Sequence, residues 1–90
     1  MIDYKSMFEK ETVSDIIAFF AGKEKGIGYP QLDNFFVRYR FDAVGTGNLL
    51  KTFEDMSKVG TVKLGDKMLV TKGPNWKAPK FMTDKKYGIV

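Results

Sequence analysis

The stretch that decides the fold is Thr46-Gly-Asn-Leu-Leu-Lys-Thr-Phe-Glu-Asp-Met-Ser-Lys-Val-Gly60-Thr-Val-Lys-Leu64. Its first two-thirds place Leu49, Leu50, Phe53 and Met56, continued by Val59, at the spacing of one helical face. This predicts a helix over 47–59, with Thr46 or Asn48 as the N-cap and Gly60 where a left-handed C-cap ends such a run. After Gly60 the period changes from helical to alternating. Thr61-Val62-Lys63-Leu64 and Lys67-Met68-Leu69-Val70-Thr71 flank Gly65-Asp66. That pattern predicts a hairpin over 61–71 with a two-residue turn. Val62 and Leu64 are expected on one face, with Met68 and Val70 as cross-strand partners.

Two further helices are expected upstream. Residues 7–21 read as one helix with Val13, Ile16, Ile17 and Phe20 on its buried stripe. Ser6 with Glu9 fits a capping box, and Thr12 with Asp15 is a second candidate if the helix starts late or breaks. Gly22 stands where a left-handed cap would close it. Residues 30–41 form the next helix, with Pro30 in its first turn and Leu32, Phe35, Phe36 and Tyr39 facing inward. Asp42-Ala43-Val44-Gly45 is the break before the third helix. Residues 72–90 read as an irregular basic tail, in which Pro74 and Pro79 oppose a continuous helix. The whole is one α+β domain: three helices and a C-terminal β-hairpin.

Helix order and glycine placement over about residues 7–73 resemble the winged helix-turn-helix family. In that resemblance residues 46–64 correspond to the third helix running into the first wing strand, and residues 61–71 to the wing. It implies a DNA-binding regulator whose third helix enters a major groove. Thr46, Asn48, Lys51 and Thr52 would then be its outward polar residues, with Lys63, Lys67 and Lys72 on the backbone. Tight specificity from so small a face calls for base contacts or a homodimer. Against sequence-specific reading stand Glu54 and Asp55 on the same helix, the absence of Arg there, Gly47 in its first turn, and the long loop before it. The same shape also serves protein interaction. A bacterial immunity or inhibitory protein that neutralises a cognate toxin is the alternative, and it needs only a complementary face.

Composition narrows the chemistry. Ninety residues make one small domain, and 43% hydrophobic content suits a folded one. With neither Cys nor His, thiol catalysis, thiolate zinc sites and the imidazole base of hydrolytic triads are excluded. The acids Asp3, Glu9, Glu11 and Asp15 could in principle serve as bases, but the adjacent Glu54 and Asp55 diverge on a helix, unlike paired catalytic carboxylates. No catalytic residue, metal site or small-molecule cofactor is therefore expected. The net charge of +4 is unevenly placed. Residues 1–45 carry six basic and seven acidic groups, a net of −1, whereas residues 46–90 carry nine Lys and four acids, a net of +5. The basic half is the expected contact surface for DNA or a protein partner. Immunity proteins against basic nucleases are commonly acidic, so this charge counts against that target class. No apolar run reaches membrane-spanning length and the start lacks a signal-peptide pattern, so cytoplasmic residence is the expectation.

Trp76 sits between two prolines with Lys72, Lys77 and Lys80 nearby. It either stacks on a ligand, anchors an interface, or folds back to close the small core, and packing is the favoured reading. Phe81 is read the same way, with packing favoured more strongly. Tyr29, Arg38 and Arg40 mark a second candidate interface around the second helix. Arg38 and Arg40, two apart, do not share a helical face and read as a solvated rim.

Overall fold

The computed structural model describes residues 1–89. In chain order the elements are α1 (Tyr4–Lys10), α2 (Val13–Ala21), β1 (Ile27–Gly28), α3 (Tyr29–Tyr39), α4 (Phe41–Gly45), α5 (Asn48–Val59), β2 (Val62–Leu64), β3 (Leu69–Lys72) and α6 (Lys80–Thr83). The three strands form one antiparallel sheet in the order β1-β3-β2. This is an α+β domain consistent in outline with a winged-helix-like fold. Among the described residues it has six α-helices rather than three, and β1 adds a strand to the expected hairpin.

The single helix expected over 7–21 is two. Glu11 and Thr12 are both extended, and the Thr12 hydroxyl accepts the Asp15 N–H at 3.2 Å to start α2. Asp3 caps α1 instead of Ser6, accepting the Ser6 N–H at 3.1 Å and the Ser6 hydroxyl at 2.8 Å. Those bonds hold the Asp3 carboxyl below its ordinary pKa. The break is stabilised from a distance. Arg40 donates from Nη1 to the Phe8 carbonyl at 3.2 Å and the Glu11 carbonyl at 2.6 Å, satisfying acceptors that a helix end leaves open.

The break lets α1 fold onto the body while α2 is enclosed. Seven of the nine α2 residues are buried, from Val13 through Ala21. Phe8, Phe20 and Phe36 are fully buried, with Phe8 edge-on to Phe36 at 4.8 Å between ring centroids. Phe35 and Tyr39 are half-buried at the margin of this aromatic cluster. Gly22 is right-handed (φ −76°) rather than the left-handed cap expected. Its lack of a side chain serves close approach, since a Cβ there would collide with the Trp76 indole.

Downstream, α3 ends at Tyr39, and the stretch expected as a break is the short helix α4. Thr46 therefore closes α4, its hydroxyl donating to the Asp42 carbonyl at 2.7 Å, and does not cap α5. Gly47, at φ +78°, precedes α5 with no side-chain cap. Gly60 ends α5 in the left-handed conformation (φ +83°), as the sequence predicts. Leu49, Phe53 and Met56 are buried, but Leu50 and Val59, expected inward, are 53% and 63% exposed.

The hairpin register also departs from expectation. A two-residue turn at Gly65-Asp66 would set Leu64 opposite Lys67 and turn Val70 away from Val62. The observed pairs are Val62 with Lys72 and Leu64 with Val70, which put Val62 and Val70 on the core face together. The connection lengthens to a tight turn over Asp66–Met68, closed by the Gly65 N–H donating to the Leu69 carbonyl at 2.8 Å. Met68 is left 48% exposed rather than paired inside.

The C-terminal stretch is not a free tail. Lys72 belongs to β3, Phe81 on α6 is buried, and the Asp3 N–H donates to the Tyr87 carbonyl at 2.8 Å. The Tyr87 phenol donates to the Glu11 carboxylate, and this bond, then burial, pushes its pKa up to about 12. The neutral phenol is the form held in the fold. Its contribution to stability is thus complete below about pH 10, the unfolded value, and is lost as pH rises through about 12. Ring-carbon NMR titration of Tyr87 is expected to show this late midpoint, returning to the ordinary tyrosine range in Glu11→Ala. An unchanged midpoint in the variant would contradict the assignment. For the indole contact, Gly22→Ala is expected to cost about 1–3 kcal/mol by overpacking. That lowers Tm by roughly 4–8 °C per kcal/mol in a thermal melt. An unchanged Tm would show that the contact is loose.

Candidate functional site

The surface left over once the core is closed has three parts. The first is the outward face of α5. Because Leu49, Phe53 and Met56 are committed inward, Asn48, Leu50, Lys51, Glu54, Asp55 and Lys58 are exposed. Thr52 is half-buried, and its hydroxyl donates to Asn48 Oδ1 at 3.2 Å, which occupies one of the two groups Asn48 would offer a base edge. Two lysines and two carboxylates share this face, so it carries no net charge. Asn48 and Lys51 lie in the first turns, and Val59 follows about 16 Å along the axis from Asn48 at 1.5 Å per residue.

The second part is the wing. Lys63 and Lys67 are exposed as expected, but so are Leu64 (46%), Met68 (48%) and Leu69 (39%). Lys67 and Met68 both have left-handed backbone, at φ 59° and 60°. For residues with a Cβ this costs on the order of 1 kcal/mol each, which is why turns of this shape favour Gly and Asn. The wing therefore holds two apolar-stemmed side chains at a tip where glycine would be more stable.

The third part is the segment after β3, and here the structure assigns packing roles. Trp76 Nε1 donates to the Ala18 carbonyl at 2.9 Å, and the half-buried ring lies against Gly22. The indole closes the side of α2 rather than lying among Phe20, Phe36 or Phe53. Lys72 Nζ sits 4.4 Å from the Trp76 ring centroid, a cation–π contact that ties this lysine to the tail. Asn75 donates from Nδ2 to the Val59 carbonyl at 2.8 Å and so caps the end of α5. Lys77 and Lys80 are exposed on either side of the buried Pro79 turn.

Around α3 the expected cluster separates. Arg38 is exposed, whereas Arg40 is half-buried and clamps the end of α1. Tyr29 is half-buried with its ring edge-on to Phe53 at 5.1 Å, and burial, then Asp33 and Glu54, raises its pKa. Arg40 and Tyr29 are thus structural, and only Arg38 of the three is displayed. Among the described residues no three acids gather in a way that would hold a metal ion, and no helix is long and apolar enough to cross a membrane.

No family model, curated protein or solved structure matches this chain.

Sequence reasoning misassigned Arg40, read as a solvated rim but holding the end of α1, and several apolar residues. Leu50, Leu64 and Met68 read as core, yet stand on the surface. The signal was present for Leu50: adjacent Leu49 and Leu50 are about 100° apart on a helix, so one face cannot bury both fully. For Met68 it was not, since only the register shows it. Replacing Met68 with Gly is expected to stabilise the free protein by about 1 kcal/mol in chemical denaturation, because it relieves the left-handed strain. A destabilising outcome would mean that the Met68 side chain packs within the fold.

Proposed function

We propose that this chain is a small non-enzymatic binding protein that docks on another protein through the outward face of α5 and the wing, in the manner of a cognate inhibitor or bacterial immunity protein. The observation that carries this reading is the exposure of Leu50 and Val59 on α5, Leu64 on β2, Met68 in the turn and Leu69 on β3, where acids and lysines are mixed. Apolar groups interleaved with both signs of charge suit a protein surface, where side chains desolvate and pair. A phosphate backbone rewards cations and is repelled by Glu54 and Asp55. The strained Lys67 and Met68 fit the same reading, since such strain concentrates at sites of contact. The balanced charge of α5 points to a partner that is not strongly basic.

A DNA-binding regulator is the second reading, favoured by the outline of a winged-helix-like fold and by Lys63 and Lys67 on the wing. The two readings part on salt and on which side chains matter. Under the protein reading, duplex DNA binds weakly or not at all at moderate salt. Co-expression with the product of the adjoining reading frame then yields a complex that Leu50→Asp or Met68→Asp disrupts and Lys63→Ala spares. Loss of one apolar anchor is expected to weaken binding about tenfold or more, as for 1.4 kcal/mol or above. The reading is overturned by tight DNA binding whose salt slope falls by about one for each of Lys51→Ala and Lys63→Ala.

A further inference from the structure

A groove of about 700 Å³ opens on the other side of α3, away from the buried face that carries Leu32 and Phe36. Its floor is Phe35, at the margin of the aromatic cluster, backed by the fully buried Phe20 with ring centroids 5.0 Å apart. Its α3 wall presents Gln31, Asn34 and Arg38, which share a helical face at spacings of three and four. Lys23, just beyond α2, supplies a second cation. The Lys23 ammonium is held 5.4 to 5.9 Å from the ring centroids of Phe20, Phe19 and Tyr4 and donates to the Tyr4 hydroxyl at 3.4 Å. Among the described residues, no carboxylate lines the groove.

The combination is specific. The apolar floor has room for one large side chain, the amides of Gln31 and Asn34 can meet an extended backbone, and two cations with no counter-charge in the lining select carboxylates. The groove is open rather than enclosed, which suits a chain segment better than a small molecule. We propose that this groove binds an acidic segment of a partner protein, with an aromatic residue seated on Phe35 and carboxylates on its flanks met by Lys23 and Arg38. The proposal rests on the reading that the partner is a protein, and adds a second contact, on a different face from the wing.

The probe is a blocked tripeptide, acetyl-Glu-Phe-Asp-amide, titrated into the isotopically labelled full chain at millimolar concentration and followed by amide NMR. Acetyl-Lys-Phe-Lys-amide and acetyl-Glu-Ala-Asp-amide are the controls. Saturable shifts confined to residues 20–38, at least fivefold weaker for both controls and in Arg38→Glu, are the expected result. Asn34→Asp, a surface change that adds a carboxylate to the wall, is expected to weaken binding without altering the melt, so a failure to fold does not obscure the outcome. The proposal is overturned if the acidic peptide shifts nothing, shifts the wing and tail lysines instead, or is matched by either control. Such a failure leaves the wing untouched: Leu50→Asp and Met68→Asp still decide the proposed function independently.

Discussion

The constraint from which the rest of the molecule follows is that α2 is apolar on nearly every side. A helix with seven of nine residues buried cannot lie on the surface, and fully burying each large apolar side chain is worth roughly 1.5–3 kcal/mol. A 90-residue chain has few elements with which to surround it. The chain therefore breaks at Glu11 and Thr12 so that α1 can fold onto the body, and Arg40 holds the broken end. The last open side is closed by Trp76, bonded to the Ala18 carbonyl and fitted against Gly22. The residue that most resembled a ligand platform is thereby committed to enclosing a helix.

That commitment decides what remains outside. α5 need bury only Leu49, Phe53 and Met56, and so presents a full outer face. β2 and β3 need bury only Val62 and Val70, leaving Leu64 and Leu69 at their turn ends and Met68 in the turn exposed. Of the lysines that make the second half basic, Lys72 is drawn over the Trp76 ring. The other lysines of residues 46–90 are displayed together with Leu50, Val59, Leu64, Met68 and Leu69, so the surface is more apolar than the net charge alone suggests. The proposed function rests on this mixture of apolar groups with both signs of charge.

Legibility in the sequence followed the range of the interactions. The inward Leu49, Phe53 and Met56 of α5 and its glycine stop are local and were readable from spacing, whereas Leu50 and Val59, read with them, stand outside. The break within residues 7–21 was legible only as the alternative that Thr12 with Asp15 offered, because Lys10-Glu11-Thr12 contains no Gly or Pro and the group that stabilises it, Arg40, lies some thirty positions on. Two-residue β1 has almost no signal of its own and exists through its pairing with β3. The wing register depended on which of Val70 and its neighbours had to reach the core. Among the candidate site residues, Lys51, Lys63, Lys67, Lys77, Lys80 and Arg38 were legible as exposed, since lysine and arginine stems seldom bury. Packing was the favoured reading of Trp76, but Arg40 was not legible as a strut, because its partners are backbone carbonyls distant in sequence.

Amide hydrogen exchange of the free protein tests this account most directly, because it measures which parts share the global stability and which stand apart. The enclosed helix requires the amides of residues 16–21 to be the slowest in the molecule, opening only with global unfolding. The projecting wing requires the turn over residues 65–69 to exchange fastest among the β2–β3 amides. Slow exchange at the wing tip, matching α2, would show that another surface already covers it. Fast exchange in α2 would remove the constraint on which the whole arrangement depends.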